Sequence, residues 1–168
     1  YVSESYEKGW QREPPATAPR VLFVAGSNLL RRIRSADLLL ENLWPKLEAG
    51  AAFVQTQPVF SASTLCGVAE RIRQRAPGVS ILPMVIPIVS AAAAEKLALR
   101  LRLPLPDGFA ATLASGGEAG GWTLFSQTLR TLEASGVADG LALMTQEMDP
   151  PAPFAERIRL ALHESGWA

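Results

Sequence analysis

Four stretches of the chain are apolar with little interruption: "RVLFVAG" (20–26), "AFVQTQPVF" (52–60), "SILPMVIPIV" (80–89) and "GLALMTQ" (140–146). They are rich in Val, Ile, Leu and Phe and lack the in-out alternation of a half-exposed strand. That pattern predicts strands buried on both faces, as in a parallel sheet. Between them, apolar positions fall at helical spacing. "SADLLLENLWPKLEAG" (35–50) opens on Ser and closes on Gly, and Pro45 within it predicts a kink or a late restart. "SASTLCGVAERIRQRAPG" (61–78) opens on Ser and closes on Pro-Gly, and "SAAAAEKLALRL" (90–101) draws on alanine propensity. "GGWTLFSQTLRTLEASG" (120–136) and "APFAERIRLALHESG" (152–166) both end at Ser-Gly. A short helix is expected over 106–113, and "ASGGEAGG" (114–121) reads as a flexible linker: it follows a helix and lacks the Gly-Lys-Ser/Thr of a phosphate loop.

The expected order is therefore strand, helix, strand, helix, strand, two or three helices, strand, helix. This is an α/β pattern of right-handed βα units on a parallel sheet. Four such units make half of an eight-stranded barrel or a small open sheet, and the pattern does not choose between them. Residues 20–168 are expected to form the domain, with 1–19 as an extension or linker.

Composition narrows the picture. With 168 residues, 48% hydrophobic and 19% charged, the chain suits one soluble globular domain with a sizeable core. Sixteen basic and sixteen acidic side chains cancel, and the basic run "RRIR" (31–34) is too short to suggest a nucleic acid partner. The single cysteine, Cys66, excludes an internal disulfide and any cysteine-built zinc site. It fits a reducing compartment, with the cytoplasm as default. Its apolar neighbours predict a packed thiol. No apolar run approaches the ~18 residues of a membrane span, and the polar start shows no signal-type segment. The first residue is Tyr1 rather than Met, so the chain is expected to be cut from something longer. His163, the only histidine, is expected on an exposed helix face, too isolated for a serine or cysteine triad or a histidine metal site. "AGSN" (25–28) reads as a turn after the first strand, where Asn28 and the backbone amides could reach the same end of the sheet as the later strand ends.

Gln55 and Gln57 stand out. Each amide carries an acceptor and two donors that must find partners if buried, and in a regular strand the two face the same side.

The ordered blocks "KLEAGAAFVQTQPVF", "ILPMVIPIVS", "AEKL", "LPLPDGF" and "GVADGLALMTQ" carry a resemblance over roughly residues 36–166. The chain resembles the C-terminal half of the flavin-dependent methylenetetrahydrofolate reductases, in the branch whose strand reads TQPVFD. The resemblance implies an eight-stranded βα barrel of the TIM type, of which these would be the last four strands. Its active site would lie at the C-terminal ends of the strands. Gln57 would then sit beside the folate and nicotinamide sites, its amide facing a pterin ring edge, with Gln55 supporting it. Phe60 and Pro58 would lie at the same end of their strand, and Gln146 and Glu147 at that end of the last one. Lys46 matches a lysine close to the flavin phosphates, although a cation at a helix C-terminus is favourable without any ligand. The implied partners are FAD, a folate, and NAD(P)H or an electron-donor protein.

The departures from the family pattern are specific. An acid at the start of the strand has become Ala52, the aspartate after its phenylalanine has become Ser61, and a glycine of the third strand has become Met84. An acid near the flavin ribityl chain falls on Leu39, with Asp37 and Glu41 close by. The family's general acid belongs to the first half of the barrel. A half barrel exposes two sheet edges and so calls for the other half or an oligomeric partner. Two readings follow: part of a flavoenzyme that reduces a folate-bound one-carbon unit by hydride transfer, or a noncatalytic barrel segment serving assembly or small-molecule binding.

Overall fold

The computed structural model describes residues 20–23, 36–101, 105–146 and 149–167. The 1–19 extension, "AGSN" with Asn28, the "RRIR" run and Glu147 lie outside the described residues. In chain order the elements are β1 (Arg20–Phe23), α1 (Ala36–Glu48), β2 (Ala51–Pro58), α2 (Ser63–Arg75), β3 (Ser80–Val85), α3 (Ala91–Leu101), α4 (Phe109–Ser135), β4 (Ala142–Leu143) and α5 (Ala152–Glu164).

The strands pair in parallel in the unbroken order β1-β2-β3-β4. Right-handed crossovers between strands laid down in sequence carry every helix to one face, whereas a doubly wound sheet needs a reversal of strand order. Burial along β3 agrees: Ile81, Pro83 and Val85 are buried, while Ser80 is exposed and Leu82 and Met84 half-buried. This is an α/β arrangement consistent with part of a TIM-type barrel. The main core fills the space between sheet and helices with Leu40, Leu43, Val54, Leu65, Ala69, Ile72, Ile81, Val85, Trp122, Phe125, Leu129, Leu132 and Ile158, among others. A smaller cluster of Ile86, Ile88, Ala94, Leu97, Phe109 and Leu113 sits beyond the end of β3.

Three expectations change. β3 stops at Val85, before Pro87, and β4 is two residues long rather than the seven of 140–146; proline cannot donate to a ladder and so bounds a strand. Of the two outcomes expected at Pro45, the late restart does not occur: α1 continues through Pro45 to Glu48. The third change is the largest. "ASGGEAGG" is not a linker but the middle of α4, a 27-residue helical span broken only at Gly117, where φ is 52° and ψ −136°. The physical reason is close approach. A Cβ at Gly121 would lie 2.4 Å from the Ile88 carbonyl oxygen and 2.6 Å from Val89 Cα, and one at Gly120 would lie 2.6 Å from the Thr112 carbonyl oxygen. These glycines let a helix seat directly on backbone, which outweighs their poor helix propensity of about 1 kcal/mol each.

Cys66 is also corrected: it is exposed, not packed. The buried stripe of α2 runs through Leu65, Ala69 and Ile72, at helical spacing, and position 66 falls off it. His163 is exposed, as expected. Among the described residues no helix is long and apolar enough to cross a membrane, and no group of His, Cys, Asp and Glu could hold a metal ion.

Candidate functional site

Two prolines shape the C-terminal end of β2. Gln55 pairs with Leu82 and Pro58 with Met84, so Thr56 and Gln57 together stand opposite Pro83 alone. That is a β-bulge, and it falls where neither Pro58 nor Pro83 has an N–H to give the ladder. The Thr56 side chain repairs the gap. Its hydroxyl accepts the Met84 N–H at 3.2 Å and donates to the Gln57 carbonyl at 2.7 Å. Regular pairing resumes with the Val59 N–H on the Met84 carbonyl at 2.9 Å.

The bulge alters the reading of the two glutamines. Gln55, level with Leu82, belongs to the face opposite the buried Val54–Ile81 pair, which is the less covered face. Gln57 lies within the irregularity, so two-residue alternation does not carry from one amide to the other. Both are half-buried, and Gln57 has an interaction partner of its own.

Beyond β2, Phe60 is half-buried and stacks edge-on against Phe109 of α4, with ring centroids 5.2 Å apart. Its carbonyl accepts a hydrogen bond from the Thr128 hydroxyl at 3.3 Å. The Ser61 hydroxyl sits 2.9 Å from the Ser63 hydroxyl and accepts the Ser63 N–H at 3.3 Å. It thus serves the start of α2.

Gln146 is exposed and lines a cleft of about 220 Å³ with Pro87, Val89, Ser90, Thr145 and Phe154, between the loops that follow β3 and β4. The first turns of two helices border it. Ser90 Oγ accepts the Ala93 N–H at 3.2 Å at the start of α3, and Phe154 donates its N–H to the Pro151 carbonyl at 2.8 Å at the start of α5. Helix starts present the positive end of the backbone dipole, so an apolar cleft acquires a mildly electropositive rim. The sequence named Gln146 but not the cleft, whose signal was the proline-rich "DPPAPF" (149–154) between the last strand and the last helix.

Lys46 lies elsewhere. It is exposed in the last turn of α1, close to the start of β2, whereas Gln57, Phe60 and Gln146 lie at or beyond the strands' C-terminal ends. The rise of β2 puts about 20 Å between the level of Lys46 and that of Gln57. Met84 is half-buried and level with Pro58 across the bulge, beside the glutamine-bearing segment. Ala52 is exposed near the beginning of the same strand.

No curated protein matches the chain. A family model described as methylenetetrahydrofolate reductase matches residues 23–149, more than half of the chain and the span from the last residue of β1 to the loop before α5.

Proposed function

The chain belongs to the methylenetetrahydrofolate reductase family, and from that premise we propose that it forms the substrate-facing second half of a flavin-dependent barrel that reduces a folate-bound one-carbon unit. The single observation carrying this reading is the seating of Gln57 at a bulge near the C-terminal end of β2, inside the span that the family model matches. An amide offers an acceptor and two donors to a pterin edge, which presents both kinds of group. Gln55, one strand position before the bulge, supports it. Phe60 closes the strand end by packing on Phe109, and Gln146 with its cleft offers apolar walls to the rest of a folate.

The four strands would be the last four of eight, with β1 and β4 each pairing a strand of the other half, contributed by more chain or by a partner subunit. A flavin, when bound, supplies the hydride, which NAD(P)H or an electron-donor protein restores. Of the residues described, the resemblance assigns Lys46 to that cofactor. At the C-terminal end of α1 the free carbonyls oppose a phosphate, so the residues present do not by themselves make a flavin site. What this chain contributes is recognition and orientation of the substrate.

A noncatalytic small-molecule-binding segment is the second reading, favoured by Met84, which pairs with Pro58, the residue after Gln57, and stands where the resemblance has a glycine. The visible spectrum of the full-length protein separates the two. A flavin band near stoichiometry supports the reductase; a colourless protein that FAD cannot reconstitute excludes it. Gln57→Ala is expected to weaken folate binding about tenfold, the loss of one or two hydrogen bonds, with FAD retention unchanged. Equal folate affinity in the mutant rejects the role given to Gln57.

A further inference from the structure

The geometry points to Thr56 as the positioning residue for Gln57, holding the bulge open so that the Gln57 amide is presented at the strand end. This rests on the reading of Gln57 as a folate-binding group. The Thr56 hydroxyl accepts the Met84 N–H at 3.2 Å and donates to the Gln57 carbonyl at 2.7 Å, so one side chain stands in for a ladder position at which Pro83 and Pro58 offer no N–H. A regular strand would place Gln57 in plain alternation with Gln55. The extra residue shifts its phase, which is how bulges re-aim a side chain beside a site. Serine keeps a hydroxyl that can make both bonds. Valine keeps the branched shape and the strand preference of threonine but neither bond.

The test uses the full-length protein as Thr56→Val, Thr56→Ser, Gln57→Ala and the Thr56→Val/Gln57→Ala pair. Two readouts are taken: the NMR resonances of the Gln57 side-chain amide, and the Kd for 5-methyltetrahydrofolate by calorimetry. Thr56→Val is expected to move the Gln57 amide resonances, speed hydrogen exchange at the Met84 N–H, and weaken folate binding about five- to tenfold. Thr56→Ser restores all three. In the Gln57→Ala background, Thr56→Val adds nothing to the loss of affinity, because it acts through the missing amide. If the valine variant leaves the Gln57 amide resonances and the Met84 exchange rate unchanged, or if serine fails to restore them, the positioning role is overturned whatever happens to folate. If they move and return as expected while Gln57→Ala binds folate as the parent does, Thr56 still positions Gln57 and it is the substrate role of Gln57 that falls.

Discussion

At the N-terminal end of the sheet, Arg73 reaches from α2 to the chain that links α4 to β4. It donates to the Gly136 carbonyl at 3.0 Å and the Val137 carbonyl at 3.1 Å, and pairs with Asp139 at 3.2 Å. Asp139 in turn takes the Ile81 N–H at 2.7 Å on its side chain and gives its own N–H to the Ile81 carbonyl at 2.9 Å. One ion pair thus joins a helix, a turn and the start of a strand. At the other end the ion pair of Arg157 with Glu118, at 3.1 Å, joins only two helices, α5 and α4. The Thr56 hydroxyl, a bulge, two stacked phenylalanines and a helix seated on glycine define the surface. The difference matches the division of labour in barrel folds, where one end carries stability and the other carries chemistry. It also shows how a site can be left open: its strands are finished by close contact rather than by charged groups that a ligand would have to displace.

The largest effect that tests this contrast is expected from Gly121→Ala. Its methyl group has no room against Ile88 and Val89, and the substitution should cost about 3 kcal/mol, seen as a lower midpoint in urea. A midpoint within error of the parent would mean that α4 is not seated as described. Asp139→Ala comes next, at about 2 kcal/mol, because it leaves the Ile81 N–H without its acceptor and takes from Arg73 its carboxylate partner. Folate affinity should not change; a loss there would break the separation of the two ends. Gln57→Ala should do the reverse, with lowered affinity and a Tm within about 2 °C of the parent.

The smallest effect is expected on the outer face of α5. A hydrogen bond from Arg159, together with its positive charge, holds the Glu156 carboxyl below its usual range. A carboxylate whose folded pKa is depressed contributes stability above its unfolded pKa and loses it as the pH falls through the folded value. Arg159→Ala should therefore lower stability slightly at neutral pH and not at all in strong acid. The pair is fully exposed, so the difference should shrink further in high salt. A large effect that persists in salt would contradict the exposed geometry.

Much of this arrangement was legible in the sequence because local and global preferences agree. The four apolar runs became the four strands, and Ser90 caps the alanine-rich helix that it precedes. The family match over 23–149 bears out the resemblance carried by the ordered blocks. What was misread had a tertiary cause. Gly116 to Gly121 look like a loop because glycine is costly in an isolated helix; the approach of Ile88 and Val89 explains Gly121, and that of the Thr112 carbonyl explains Gly120. Cys66 looked packed because its neighbours are apolar, but helical spacing decides which of them face inward. The glutamine pair was read by strict alternation, although Pro58 and Pro83 were visible in strands and a proline inside a sheet marks an edge or a bulge. In the sequence Thr56 only separates the two amides. No pattern in the chain alone showed that its hydroxyl would complete the ladder.

The break in α4 at Gly117 has a dynamic consequence. The segment before it, with Phe109 and Leu113, belongs to the smaller cluster, while the segment after it, with Trp122, Phe125, Leu129 and Leu132, belongs to the main core. Gly117 sits at a backbone angle that few other residues adopt, although a Cβ there would meet nothing within 4 Å, so the two segments share a chain without sharing a continuous run of helical hydrogen bonds. They form two cooperative units of unequal depth. Amides of the first segment should exchange with solvent through a local opening, while those of the second wait for the whole domain to unfold.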